Sequence, residues 1–91
     1  MMFKIKEIVH SGRKGTRYES VTDEKYDGLV GCKINWNIDD IKQFDGVTFK
    51  VRNHPFYSYW HTSPVIQLAK RDITTYELET INTIYVLEEA G

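Results

Sequence analysis

The side chains best suited to catalysis or metal binding in this chain are few: the imidazoles of His10, His54 and His61, and the single thiol of Cys32. A structural zinc site needs such ligands clustered at characteristic spacing, and no Cys-x-x-Cys or His-x-x-x-His pair occurs. Cys32 also falls on the apolar phase of a strand-like run, where a free thiol behaves as a small hydrophobe. Nucleophilic catalysis needs a Ser, Thr or Cys beside a base. His10-Ser11 and His61-Thr62-Ser63 are adjacent in sequence, but neighbours on an extended chain point to opposite faces and do not form a dyad. Asp39 and Asp40 stand where a short helix would begin, and there carboxylates favour the helix dipole without doing acid-base work. The sequence therefore predicts a protein that is not an enzyme, with no catalytic residues, no metal site and no cofactor.

Two stretches remain that can bind. Gly12-Arg13-Lys14-Gly15 sets two glycines around two cations, a pattern that can aim backbone N–H groups at an anion. It lacks the lysine-serine ending of a nucleotide phosphate loop and the glycine spacing of a dinucleotide fold, so a solvated hairpin tip is the simpler expectation. The second stretch is Phe56 to Val65, four of whose first five residues are aromatic in a chain that is 13% aromatic overall. On one strand, Tyr57, Tyr59 and His61 share a phase, while Phe56, Ser58, Trp60 and Thr62 share the other. If the second phase packs inward, the first is displayed, with Lys50 and Arg52 nearby on the preceding strand. Exposed tyrosines with few charges match the cores of protein interfaces. The expected function is thus a module that captures a protein partner, or a second copy, through Arg52, Tyr57, Tyr59 and His61. The alternative is a single-stranded nucleic-acid binder, in which the rings stack on bases and the cations hold the backbone. Against that alternative stand a formal net charge of -1 and a sequence with no extended basic stripe.

Positioning these residues calls for strands. Phe3 and Ile5 alternate with Lys4 and Lys6, then the phase slips at Ile8, which predicts a first strand bulged near Lys6. Thr16 to Val21 can return from the Ser11 to Gly15 turn as a hairpin arm. Leu29 to Asn37 alternates, with Val30, Cys32, Ile34 and Trp36 on one face. Ile38, Ile41 and Phe44 recur three apart behind a capping Asn37, predicting a helix of about two turns over 37–44. Val47, Phe49 and Val51 point inward on the next strand, which ends at Asn53-His54-Pro55. Pro64 cannot donate to a ladder and marks an edge, a bulge or a corner. Tyr76 to Glu88 reads as one long final strand with apolar residues on both phases, and its portion from Thr80 to Leu87 is the best cover for the aromatic segment. Roughly five or six short strands and one minor helix predict a mainly β fold, a small and strongly bent antiparallel barrel of the SH3-like or OB-like kind. The alternative is an α+β antiparallel sheet with the helix laid on one face.

Thr62-Ser63-Pro64-Val65, followed by Thr80-Ile81-Asn82-Thr83-Ile84-Tyr85-Val86-Leu87-Glu88, resembles small uncharacterised proteins of Gram-positive bacteria and their prophages. In those proteins a Thr-Ser-Pro-Val corner precedes a strand containing Thr-x-Asn-(Ser/Thr)-x-Tyr. The resemblance covers the last third of the chain and carries no activity with it. It implies a phage-type accessory protein, for instance an inhibitor of a host factor. The same residues have a structural reading: Asn82 and the hydroxyls of Thr62, Ser63, Thr80 and Thr83 are suited to bond backbone freed at the proline corner.

A chain of 91 residues fits a single domain, residues 1–91, around one core. One cysteine excludes an intrachain disulfide and favours a reducing cytoplasmic compartment. Neither a charged-then-apolar leader nor an apolar run of about 18 residues occurs, so no membrane partner is expected. Charge is unevenly spread: Lys4, Lys6, Arg13, Lys14 and Arg17 face Glu7 alone in the first segment, while acids outnumber bases after Arg52. Two solvated faces of one molecule are the expectation.

Overall fold

A computed structural model describes residues 2–12, 16–22, 24–26, 28–42 and 44–90, apart from the side chain of Asp40. Seven strands form: β1 (Met2–His10), β2 (Lys33–Asn35), β3 (Thr48–Arg52), β4 (Tyr59–His61), β5 (Val65–Lys70), β6 (Thr75–Thr80) and β7 (Thr83–Glu89). They make one antiparallel sheet in the order β4-β3-β2-β1-β7-β6-β5. β1 holds the centre because it is long enough to pair on both sides, with β7 from Phe3 to His10 and with β2 from Met2 to Lys4. Its register slips between Ile5 and Glu7, the bulge expected at Lys6, and the slip returns Ile8 to the core.

The two edge strands, β4 and β5, are consecutive in the chain and joined only through Thr62-Ser63-Pro64. A flat sheet of seven strands would hold its edges about 29 Å apart, whereas that link reaches about 14 Å at most, so the sheet has to curl. It does not close. No ladder joins β4 to β5, and the expected barrel is instead a bent, open sheet. The cause lies in the corner: Pro64 has no N–H to give, and β4 is only three residues long. Hydroxyls hold the corner as expected. Thr62 Oγ1 accepts from Val47 N at 3.0 Å, and Ser63 Oγ donates to Thr80 Oγ1 at 2.9 Å and accepts from Asn82 N at 3.4 Å.

The concave face carries the core, which includes Phe3, Ile5, Ile34, Phe49, Val51, Leu78, Tyr85 and Leu87. A relay of tilted and edge-on rings runs through it, from Phe3 to Trp36 (5.6 Å), Trp36 to Phe49 (5.5 Å) and Phe49 to Tyr85 (5.7 Å).

Several expected elements are corrected. The helix over 37–44 is one 3-10 turn, Ile38–Asp40. Asn37 caps it by accepting from Asp39 N at 3.0 Å, but Ile41 is already extended and Phe44 sits exposed at φ 72°. So short a segment cannot sustain a helix unaided. The other 3-10 turn, Glu24–Tyr26, is equally short, and the α+β alternative has no helix to lay on the sheet among the described residues. Tyr76 to Glu88 is a hairpin, not one strand, folded back at Ile81-Asn82, where Thr80 Oγ1 accepts from Thr83 N at 3.1 Å and donates to Thr83 O at 2.8 Å. Leu29 to Asn37 pleats only from Lys33, because a turn at Gly31 (φ 93°) buries Leu29 and leaves Val30 exposed. The segment from Thr16 to Val21 does return along β1, with His10 N donating to Glu19 O at 2.8 Å and Val21 N to Ile8 O at 3.2 Å around the bridge of Val9 to Ser20, but it stops short of a named strand. Among the described residues no helix is long and apolar enough to cross a membrane.

Candidate binding face

Register decides which side chains become neighbours on the convex face. Phe3, Ile34 and Val51 point inward, so Lys4, Lys33 and Arg52 point outward, and pairing sets Lys4 opposite Lys33 and Lys33 opposite Arg52. The next row, about 7 Å along the strands, runs Met2, Asn35, Lys50 and Tyr59. In the third row Thr48 faces His61. Like charges directly opposite one another repel. Yet Lys4, Lys33, Lys50 and Arg52 make no ion pair among the described residues.

Other charges are matched. β1 runs antiparallel to β7, so the basic start of the chain lies against its acidic end, and Lys6 pairs with Glu88 at 3.6 Å. Arg71 pairs with Glu77 at 3.3 Å. Arg17 grips Glu79 with both terminal guanidinium nitrogens, at 2.9 and 2.8 Å, and Gln67 donates to the same carboxylate at 3.1 Å. That guanidinium holds the Glu79 carboxyl below the usual carboxylate range despite its burial. The basic start of the chain is therefore partly matched by its acidic end, with Glu88 also opposite Lys4 on β7.

The aromatic residues divide differently from expectation. Tyr59 is displayed, 63% exposed, directly opposite Lys50. His61 is exposed but fixed, with Nδ1 2.8 Å from Thr48 Oγ1 and the ring packed so close to Gly46 that a Cβ there would lie 2.6 Å from Nε2. Tyr57, expected on the displayed phase, is half-buried with its ring 4.7 Å from His54 and 5.1 Å from Trp60. Phe56, expected inside, is 86% exposed. The cause is His54, whose Nδ1 accepts from both Phe56 N (3.0 Å) and Tyr57 N (3.1 Å) and bends the chain before the pleat begins at Tyr59. Of the four residues singled out from sequence, Arg52, Tyr59 and His61 share the convex face and Tyr57 belongs to the Trp60 cluster. In the glycine loop, Gly12 is an exposed turn residue, and Arg13, Lys14 and Gly15 lie outside the described residues.

Beside Tyr59 the face dips into a groove of about 620 Å³, whose walls include Asn35, Trp36, Asn37, Thr48 and Lys50. Cys32 lies away from it, donating to Gly28 O at 2.8 Å, and burial pushes its thiol up, so the protonated form is favoured. Among the described residues no three of His, Cys, Asp and Glu gather as a metal site. Strand alternation placed Lys33, Asn35 and Lys50 on outward phases but did not join Lys4, Lys33 and Asn35 into one surface. The outward phase was the available signal, and the missing information was strand order. No family model matches the chain, and comparison with curated proteins and with solved structures finds no match.

Proposed function

We propose that this chain is a non-enzymatic binding module that takes single-stranded nucleic acid on the convex face of β1 to β4. The observation that carries the reading is the row Lys4, Lys33 and Arg52, lying one step from Lys50 and the exposed ring of Tyr59. Phosphates spaced along an extended strand relieve the repulsion within such a row, while Tyr59 offers a stacking platform indifferent to base identity. Three acids away from this row, Glu88, Glu79 and Glu77, are held by Lys6, Arg17 and Arg71. OB-folds bind oligonucleotides on an outer strand face, and this bent sheet is proposed to act in the same manner. A phage-type accessory role in the cytoplasm suits the resemblance of the Thr62 to Val65 corner.

Phe56 supports a second reading, capture of a protein partner or a second copy, since a phenylalanine 86% exposed at a bend is an anchor of the interface type. Anisotropy of a labelled 15-mer at 50 mM salt separates the two. Nucleic-acid binding predicts saturation by single strands and weak response to blunt duplex. Tyr59→Ala is then expected to weaken single-strand binding about tenfold with an unchanged circular dichroism spectrum. No response at 50 mM salt, together with a concentration-dependent dimer by light scattering, would favour the second reading.

A further inference from the structure

β5 is an edge of the sheet, and its outer side is covered at one end only. At the turn into β6, Arg71 N donates to Thr75 O at 2.8 Å, so by alternation Gln67 and Ala69 direct their backbone groups to β6 while Leu68 and Lys70 turn theirs outward. At the start of the strand the outward groups are taken: Val65 N donates to Asp45 O at 3.0 Å, and Val65 O accepts from Phe44 N at 2.7 Å. Those of Leu68 and Lys70 meet no backbone partner among the described residues. Natural edges are usually blunted by a proline, a bulge or a charge. Here Pro64 and the bulge after Val65 protect the first residues, and the charge further along, Lys70, lays its arm over the ring of Tyr76, 5.5 Å from the centroid.

We infer that this open edge pairs with the β5 edge of a second copy of the chain, antiparallel and about a two-fold axis at Ala69. In that register Leu68 of each copy lies opposite Lys70 of the other, and each of these pairs exchanges both of its backbone hydrogen bonds. Ala69 meets Ala69, small enough for the close approach of a non-hydrogen-bonded pair, and Lys70 avoids its own counterpart. The ends of the edge favour a second copy over an unrelated strand. Phe44, 70% exposed, stands at the Val65 end, and Ile73, 83% exposed, stands at the hairpin tip beyond Lys70, so antiparallel pairing brings Phe44 of each copy toward Ile73 of the other. Charge runs the same way: Asp45 marks the first end and Lys70 the second, and the two-fold sets each against its opposite. The other charges at the second end are matched at home, Asp72 by the N–H groups of Thr74 and Thr75 at 2.9 Å and Arg71 by Glu77. The row of Lys4, Lys33 and Arg52 lies on other strands, so this pairing does not depend on the nucleic-acid reading.

Sedimentation equilibrium of the full chain, from micromolar to submillimolar concentration, is expected to show a mass rising from 10.7 kDa toward about twice that value. Hydrogen exchange reads the edge itself. The amides of Leu68 and Lys70 are expected to exchange fast in dilute protein and about tenfold more slowly at high concentration, while that of Ala69, bonded to β6, is protected in both. Ala69→Lys sets like charges directly opposite at the two-fold while facing Glu77 in its own chain, so it is expected to abolish the dimer with an unchanged circular dichroism spectrum. Lys70→Glu is expected to weaken dimerisation about tenfold, and Asp45→Lys added to it is expected to restore the wild-type value. Phe56→Ala is expected to leave the dimer intact, which separates this edge from capture through Phe56. A mass that stays at 10.7 kDa, or exchange of Leu68 and Lys70 that ignores concentration, would overturn the pairing without recourse to any variant. A dimer that survives Ala69→Lys, that Asp45→Lys fails to restore, or that disappears with Phe56→Ala would equally overturn it.

Discussion

The indole N–H of Trp60 donates to the phenol oxygen of Tyr85 at 2.9 Å, although β4 and β7 are separated by three intervening strands. In a flat sheet those strands would lie about 19 Å apart. The bond therefore spans the concave interior and ties an edge of the sheet to its middle. Tyr85→Phe leaves the indole donor without its partner and is expected to cost about 1–3 kcal/mol in urea denaturation, with the fold retained. A stability equal to wild type would show that the curl does not depend on this bond.

The same tyrosine gives an alkaline signature. Burial raises the Tyr85 hydroxyl above its ordinary value. The unfolded chain ionises first as pH climbs past about 10, so the stabilisation is complete below that pH and is lost as pH rises toward the folded value. Denaturation midpoints between pH 9 and 11 are expected to fall more steeply for the wild type than for Tyr85→Phe, where this ionisation is absent.

Glu79 produces the opposite limb. Its carboxyl is held low by Arg17, so the linked stability is full above the unfolded value and declines as pH drops below about 4.5 toward the folded value. Glu79→Gln is expected to lose about 1 kcal/mol at neutral pH and to flatten this acid limb. Thermal melts from pH 3 to pH 7 provide the check, and an acid limb identical in both proteins would contradict the assignment.

Gly46 is constrained by space. A Cβ there would lie 2.6 Å from both His61 Nε2 and the backbone oxygen of Thr62. The histidine can swing away but the carbonyl cannot, so Gly46→Ala is expected to destabilise by about 1–3 kcal/mol. It should also release His61 from Thr48 Oγ1, visible as a changed imidazole chemical shift in NMR spectra at fixed pH.

Local pattern carried much of the fold. The phase slip after Lys6 announced the bulge of β1, and the alternation of Val47, Phe49 and Val51 announced β3. The sequence was less informative where side chains, and not glycine or proline, make the turn. The Ile81-Asn82 bend is built by the hydroxyl of Thr80, and the bend before Tyr59 by the imidazole of His54, so both segments read as continuous strands. The candidate site was legible only in halves. Tyr59, His61 and Arg52 were recognisable by type, but Lys4 and Lys33 join them through the order β4-β3-β2-β1, which no local signal contains. Tyr57 was misassigned because strand phase was extended through the His54 bend.

The most direct measurement is the salt dependence of single-strand binding for the wild type and for Lys33→Ala with Arg52→Ala, two exposed substitutions in one cationic row. Each phosphate contact removed should lower the slope of log K against log salt by about 0.7, so the double variant is expected to lose about 1.4 from the slope while its melting temperature holds. A wild-type slope near zero, or one that the double variant leaves unchanged, would contradict the assignment of this row to a polyanionic strand.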